Sequence, residues 1–523
     1  MYIMKKLLLF IAIITVGCGR EQKATETPSL SLQSVQKYSI PHFTDSAAFS
    51  NLPRYFSLID TIYTRYAKKN HFPSITYGLV VGNQLVYSNA TGIANIKDNR
   101  PATTKTLYRI ASMSKSFTGM AILKLRDEGK LNLNDPVSKY IPEINGGGAL
   151  TTDAQPITIL NLLTMSAGFP EDNPWGDRQL ADTDQDLLDQ VKGGISFSNV
   201  PGTTFEYSNM GFALLGKIIT NVSGVPYQKY ITDNIMKPVG MNDSRWEYTE
   251  IPTEAFAPGY RWEDNTWKEE PVLHDGSYGA MGGMICSIED FAKYVSLHLS
   301  AWPPRNEADN GPVRRSSIRE MHQPWRVIGV FADAKNRIGE NCPVASGYGY
   351  GLGWREDCHG TVRIAHSGGL PGYGSQWAIY PEYNIGVVSF SNHTYGAPGL
   401  PNSIVMDTLI QLAGIKKREL APSEILAKRK EEIMSLIPDW KDAESKKIFA
   451  ENFWLDSDIE HRRAGTLKIF KEAGEIVKVT DIKPENQLRG AFTIECKNKT
   501  VRIFFTLTPE ASAYIQQLDF ELL

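Results

Sequence analysis

The sequence predicts a mixed α/β (α+β) protein, with an antiparallel sheet flanked by helices and a helical subdomain, followed by a small C-terminal α+β domain. Three observations carry this reading. Strand-like segments cluster at both ends of the stretch 51–415, helical periodicity fills its middle, and Val501, Ile503, Phe505 and Leu507 alternate cleanly near the C-terminus. One sheet assembled from both ends of a domain, with helices inserted between, is the arrangement that this order implies.

The chain has 523 residues, enough for two to four domains and a sizeable core. Charged residues make up 22% and hydrophobic ones 42%, which excludes bulk disorder, and 43 Gly with 29 Pro exclude a collagen-like or low-complexity chain. A net charge of -3 gives no general pull toward nucleic acid, so no nucleic-acid partner is expected.

Lys5 and Lys6 precede an apolar run from Leu7 to Val16 that ends in Gly17 and Cys18. A short positive region, an apolar segment too short to span a bilayer and a small residue at the end read as an export signal. Thr15-Val16-Gly17-Cys18 also resembles a bacterial lipobox, with Thr15 where Leu is usual, and this implies lipidation at Cys18. The expectation is a periplasmic protein anchored to a membrane by lipid, with a signal at 1–18 and a polar tether at 19–50.

Folded structure is expected from about Asn51, opening with a helix carrying Phe56, Ile59, Ile62, Tyr63 and Tyr66. A hairpin follows, in which Ile75 to Val81 and Gln84 to Ala90 flank a Gly82-Asn83 turn. The next helix runs from about Ser112 to Asp127 behind an apolar strand candidate, Leu107 to Ile110, and stops before Gly129. Ile157 to Met165, Leu180 to Val191, Met210 to Val222 and Tyr227 to Met236 are helical candidates, and Ser287 with Asp290 predicts a capping box ahead of Ile288 to Leu299. Strands return at Tyr350 to Arg355, Thr361 to His366, Ser375 to Tyr380 and Ile385 to Asn392, and a helix follows from Ile404 to Leu412.

Lys416, Lys417 and Arg418 lead into Pro422 and mark a boundary. Beyond it, at 423–523, two helices (Ile425 to Leu436 and Glu444 to Phe453) precede strands at Ala491 to Cys496 and Val501 to Leu507. This small unit resembles cystatin-like and nuclear-transport-factor-like domains.

Ser112-Met113-Ser114-Lys115 is the strongest chemical signal. Residues three apart share a helix face, so the Ser112 hydroxyl and the Lys115 amine can meet. A desolvated Lys can be neutral enough to accept the serine proton, and a serine in the first helical turn has a backbone N–H free to stabilise an oxyanion. Ser34-Val35-Gln36-Lys37 has the same spacing but lies in the polar tether, with no amphipathic helix to present it. Tyr207-Ser208-Asn209 is the second element. A Tyr beside a cationic Lys can have a depressed pKa and relay protons, and Asn209 can offer its amide to a substrate carbonyl. Tyr87-Ser88-Asn89 repeats the pattern at an ordinary strand end. The third element, His366-Ser367-Gly368-Gly369, ends a strand. Its imidazole can relay a proton, and its glycines leave room for a substrate to lie alongside as an added strand.

Rival signatures are weak. Gly211 to Gly216-Lys217 nearly spells a P-loop, but Ile218 stands where Ser or Thr is required. The run Gly347 to Gly353 reads as packed strand, and 9 scattered His predict no metal cluster. Cys342 and Cys358 flank that run and can close it as a disulfide or remain thiols, while Cys286 and Cys496 read as buried thiols.

In order and together, the three elements resemble the serine β-lactamase and penicillin-binding-protein superfamily, in its class C-like branch with DD-peptidases, D-aminopeptidases and esterases of the EstB type. The resemblance covers about residues 51–413 and includes Leu162 to Gly168, Gly282-Gly283 and Tyr350 to Trp354. It implies a β-lactamase-like fold, Ser112 as acylated nucleophile, Lys115 and Tyr207 as the proton-transfer pair, and Asn209 as a substrate contact. His366 and Gly368 occupy the third-motif positions, with the N–H groups of Ser112 and Gly369 as oxyanion hole. No cofactor is implied. His366 stands where a β-lactamase of this branch usually has Lys, so a fixed cation is replaced by a titratable ring, and an esterase or D-amino-acid peptidase fits better than a potent β-lactamase. The expected partner is a small-molecule or peptide substrate; the competing expectation is a penicillin-recognising sensor that is acylated without turnover.

Overall fold

The computed structural model describes residues 37–44, 46–146, 150–336 and 338–523. The expected signal at 1–18, Cys18 and the first part of the tether lie outside them. The described chain divides into two units, one spanning Ile40–Ala421 and one combining Pro422–Leu523 with residues 37–39. Regular structure begins before Asn51: His42 bridges to Glu419, and Ala47–Ser50 forms a helical turn.

The larger unit is built on nine antiparallel strands. They are β1 (Ser74–Val81), β2 (Gln84–Asn95), β3 (Arg100–Pro101), β4 (Arg326–Phe331), β5 (Val344–Tyr348), β6 (Gly353–Glu356), β7 (Val362–Leu370), β8 (Tyr373–Tyr380) and β9 (Ile385–Ser391). Their order across the sheet is β3-β2-β1-β9-β8-β7-β6-β5-β4, so the N-terminal hairpin pairs with the last strand, as the order of elements in the sequence implies. Strands β8 and β9 are buried along their whole length, because they sit mid-sheet with helices on both faces.

Side chains alternate between two cores. Trp377 and Ile379 join Val388 and Phe390 in the core beneath α2 (Ser114–Asp127), α3 (Asn209–Ser223) and α4 (Ile288–Ser300). Ala378 and Tyr380 join Ile75, Tyr77 and Val387 in the core beneath α1 (Phe56–Lys69) and α5 (Gly399–Leu412). The Gly211-to-Lys217 run lies inside α3, a buried helix and not a phosphate loop.

Several elements differ from expectation for local reasons. The Ser287 hydroxyl accepts from Asp290 N–H, but the Asp290 carboxylate accepts from Asp243 N, Ser244 N and Ser244 Oγ, so the reciprocal half of the expected capping box is absent. The edge strand β4 was not expected; it is largely exposed on both sides and lacks the two-residue alternation of a half-buried strand. The packed strand expected over Gly347 to Gly353 is instead the end of β5 and the start of β6, with residues 349–352 outside both. Cys342 and Cys358 form a disulfide, and Cys286 and Cys496 are free.

The smaller unit pairs helices α6 (Glu424–Met434) and α7 (Ile459–Ala473) with an antiparallel sheet of β10 (Ile476–Val479), β11 (Lys483–Asn486), β12 (Arg489–Cys496), β13 (Thr500–Leu507) and β14 (Ile515–Leu522). The helix expected at Glu444 to Phe453 is instead a short turn, Glu444–Lys446, and a separate helix, Glu451–Asp456, because Lys447 adopts a left-handed backbone between them. Trp440, Phe453, Ile503 and Phe505 lie in its core. No helix of the described residues is long and apolar enough to cross a membrane.

Trp377 is fully buried, with ring centroids of His298, Phe291 and Tyr294 at 4.9, 5.6 and 5.8 Å. Trp377→Ala is expected to destabilise the larger unit by about 3–5 kcal/mol, read as a lowered midpoint in denaturant unfolding, whereas the conservative Trp377→Phe loses less.

Candidate active site

The site forms where the start of α2, the start of α3 and the end of β7 meet. Ser112 lies in a single 3-10 turn, Ala111–Met113, that leads into α2, and Ala111 takes a left-handed backbone at φ 50° to enter it. Beneath the turn, Tyr108–Arg109 pairs with Ile285–Cys286. From the other side, the Ser375 hydroxyl on β8 donates to Ile110 O at 2.7 Å. Gly368 lies against the same carbonyl, where a Cβ would come within 2.3 Å of Ile110 O, so only glycine lets β7 approach the serine turn this closely.

Helical spacing then brings Lys115 to Ser112, with Nζ 3.0 Å from Oγ. Lys115 is fully buried and also donates to Asn209 Oδ1 at 2.7 Å and to Met281 O at 3.0 Å. The Asn209 amide is oriented by its own Nδ2, which donates to Asn173 Oδ1 at 2.6 Å. Both of these partners can only accept. A neutral Lys115 amine uses its two hydrogens on them and aims its lone pair at the Ser112 hydroxyl.

The electrostatics bring that neutral form within reach near neutral pH. Burial pulls the Lys115 pKa from 10.5 to about 7, against the opposing pull of the Asp177 and Asp172 carboxylates. Burial also raises Asp177, to about 6, although Lys115 and a hydrogen bond from Tyr395 lower it. Asp172 is raised by burial too, yet its carboxylate accepts from Asn209 N–H at 2.6 Å and Met210 N–H at 2.8 Å and so caps the start of α3.

Tyr207 is brought to the site, with its ring centroid 4.9 Å from Lys115 Nζ and 6.3 Å from the His366 ring. Its pKa is raised and not depressed: burial, together with nearby carboxylates, outweighs the hydrogen bond with Ser112. A Lys115 near neutrality is also a weak source of the positive charge that would lower it. Tyr207 therefore remains a phenol, a proton donor.

His366 differs from expectation as well. Nδ1 lies 2.6 Å from Ser367 O, which can only accept, so the proton sits on Nδ1 and Nε2 accepts from the Tyr348 hydroxyl at 3.0 Å. Burial, and secondarily the Lys115 charge, push its pKa down to about 3. The ring is neutral with both nitrogens engaged and does not titrate near neutral pH. Asn209 likewise is fully buried, its Oδ1 accepting from Lys115 and its Nδ2 donating to Asn173, so in this structure it positions the lysine and is not exposed to a substrate.

Pairing of β7 with β6 ends at Ala365, whereas pairing with β8 continues to Leu370. The stretch from His366 to Leu370, with Gly368 and Gly369, therefore has one edge outside the β6 ladder. A Cβ on Gly369 would meet the Tyr395 ring at 2.9 Å. Asp172, Asn173, Asp177, Met281, Tyr348 and Tyr395 were missed as site residues. Asp172, Asn173 and Asp177 lie in the long loop after Phe169, where no periodic pattern announces which side chain turns inward.

A profile of the family described as Beta-lactamase matches residues 59–406, and the chain belongs to this family, within the serine β-lactamase and penicillin-binding-protein superfamily. Among curated relatives, "Protein flp" of Staphylococcus aureus (strain NCTC 8325 / PS 47) is 31% identical over 342 residues, covering 64% of this chain and 62% of the relative. "Beta-lactamase-like protein 2" of Dictyostelium discoideum is 26% identical over 369 residues, 69% of this chain and 63% of the relative. The chain thus spans less than two thirds of the length of these relatives. Among solved structures, the octameric penicillin-binding protein homologue from Pyrococcus abyssi superposes with a TM-score of 0.57 at 23% identity, covering 89% of this chain and 98% of that one. The penicillin binding protein from Bacillus halodurans gives 0.51 at 23% identity, with 67% and 98% covered. These two establish likeness of fold.

Gly368→Ala is expected to leave the protein folded but to push β7 off the serine turn. The rate at which an activated ester labels Ser112 should fall by about 10²-fold, since an ångström of displacement at a reacting centre costs that much; a rate equal to wild type would show that the contact is dispensable.

Proposed function

We propose that the protein is a serine hydrolase that works through an acyl-enzyme on Ser112, cleaving an ester or an amide of D-amino-acid character. The observation that carries this reading is the placement of Lys115 Nζ, 3.0 Å from Ser112 Oγ with its other hydrogen bonds made to obligate acceptors. In the proposed first step, Ser112 Oγ attacks the substrate carbonyl as its proton passes to Lys115. The N–H groups of Ser112 and Gly369 receive the oxyanion, and the substrate backbone lies along the edge of β7 from His366 to Leu370. Tyr207, kept protonated by burial, hands a proton to the leaving alcohol or amine and is reprotonated from Lys115. Water then attacks the acyl-serine, giving the acid and free Ser112.

The neutral His366 bears on substrate choice. Without a fixed cation at that position, a substrate carboxylate gains no ion pair, which favours uncharged esters and amides over β-lactams. We further propose that the protein is exported and held to a membrane by lipid at Cys18; the Cys342–Cys358 disulfide supports residence in an oxidising compartment.

Intact-mass measurement with an activated ester and, separately, a β-lactam tests the reading. An adduct on the wild-type protein that is absent from Ser112→Ala, with ester product accumulating over many equivalents, is the expected result. A single equivalent that never turns over would instead mark a sensor, and no adduct with either reagent would contradict the acyl-enzyme. Because the base form of Lys115 prevails only above about 7, the acylation rate should rise as pH increases through that value and then level off. Lys115→Arg, which cannot lose its proton, should lower the rate by about 10²–10⁴.

A further inference from the structure

Strand β7 has a second face. His366 turns toward the serine, while Arg363, Ala365 and Ser367 alternate to the opposite side, beneath α5. There a cavity of about 370 Å³ is lined by Ser346, Arg355, Arg363, Gln376, Leu400 and Ser403 among others, and His366 also borders it. An adjoining cavity of about 460 Å³ shares Arg355, Arg363 and Ser403 with it.

The charges in this cavity are unbalanced. Arg355 and Arg363 are direct partners across β6 and β7, an arrangement that like charges make unfavourable, and Ser346 on β5 is the next member of the same row. Both arginines line the first cavity, and no carboxylate does. Among the described residues neither has an ion-pair partner. Arg363 donates through Nη1 to Ser403 Oγ at 3.0 Å, but its Nε is buried with no acceptor. Asp357, on the same hairpin, accepts through Oδ1 from the N–H groups of His359 and Thr361. Asp407 lines the adjoining cavity but not this one. The opening residues of α5, Gly399 and Leu400, also line the first cavity, and this helix has no side-chain cap at its start, so its positive end adds to the same field.

We propose that this cavity binds a phosphate-class oxyanion, held between the Arg355 and Arg363 guanidinium groups with the Ser346 and Ser403 hydroxyls as further partners. A tetrahedral dianion offsets two like charges at once and presents enough acceptors for guanidinium, hydroxyl and backbone N–H donors together. The cavity exceeds the size of phosphate itself, which leaves room for the organic part of a phosphate ester. Ser367, adjacent to both His366 and Gly368, lines the same cavity, so a bound anion would sit directly behind the strand that carries the third motif.

The test uses the full chain carrying Ser112→Ala, so that it stands apart from the hydrolase reading. Calorimetry and thermal unfolding are run at constant ionic strength with inorganic phosphate in one arm and glycerol phosphate in the other. Saturable binding at one site is expected, with a raised unfolding midpoint. Arg363→Gln and, separately, the more exposed Arg355→Gln should each weaken binding at least tenfold. In phosphate-free buffer Arg355→Gln should unfold no lower than its parent, since it removes a like-charge neighbour. Tighter binding of glycerol phosphate would identify an ester as the ligand, and tighter inorganic phosphate the free ion. No saturable binding in either arm, undiminished affinity in both variants, or a lowered phosphate-free midpoint in Arg355→Gln would overturn the proposal.

Discussion

An amine buried away from water needs partners for every hydrogen it keeps, and Lys115 sets that requirement at the centre of this molecule. Its charged form loses hydration that the surrounding carboxylates only partly replace, which is why Asp172 and Asp177 leave its pKa near 7 and do not restore the ordinary value. Its three oxygen partners come from three parts of the chain. Ser112 arrives through helical spacing, Asn209 through the start of α3, and Met281 through the helical turn Gly279–Gly282. That last turn must approach α3 closely. Gly216 on α3 leaves the room, since a Cβ there would come within 2.4 Å of the Ala280 Cβ. Much of the packing between α2, α3 and the 279–282 turn can be understood as holding acceptors around one nitrogen.

The third element of the site has a different character. A lysine in that place would present a fixed charge, whereas His366, locked between Ser367 O and the Tyr348 hydroxyl, presents a neutral ring. Near the serine, Lys115, Asp177 and Asp172 are each moved toward neutrality by burial. A site of this kind discriminates by shape and hydrogen bonding more than by ion pairing, which directs attention to the loop after Phe169 that supplies Asp172 and Asn173.

The parts of the fold and site that were legible in the sequence are those with local rules. Helical spacing from Ser112 to Lys115, the Gly82-Asn83 turn between β1 and β2 and the alternation along β13 each follow from a few neighbouring residues. The pairing of the N-terminal hairpin with β9 followed from the order of the elements alone. What escaped depended on long-range environment. The directions of the Tyr207 and His366 shifts depend on burial by segments far away in sequence, so an isolated motif suggested a lowered tyrosine and a titratable histidine. Asn209 looked available to substrate because nothing near it in sequence announces Asn173 as its partner. Strand β4 and helix α7 were missed because exposed faces carry little periodic signal, and β14 because its buried and exposed positions do not alternate regularly.

The most direct measurement is the titration of Lys115 itself, followed by NMR of lysine labelled at Cε and assigned by comparison with Lys115→Arg. One lysine resonance titrating near 7, far below the rest, is the expected result. A Lys115 resonance that titrates near its ordinary 10.5 would mean that the amine stays charged beside Ser112 and cannot serve as the base.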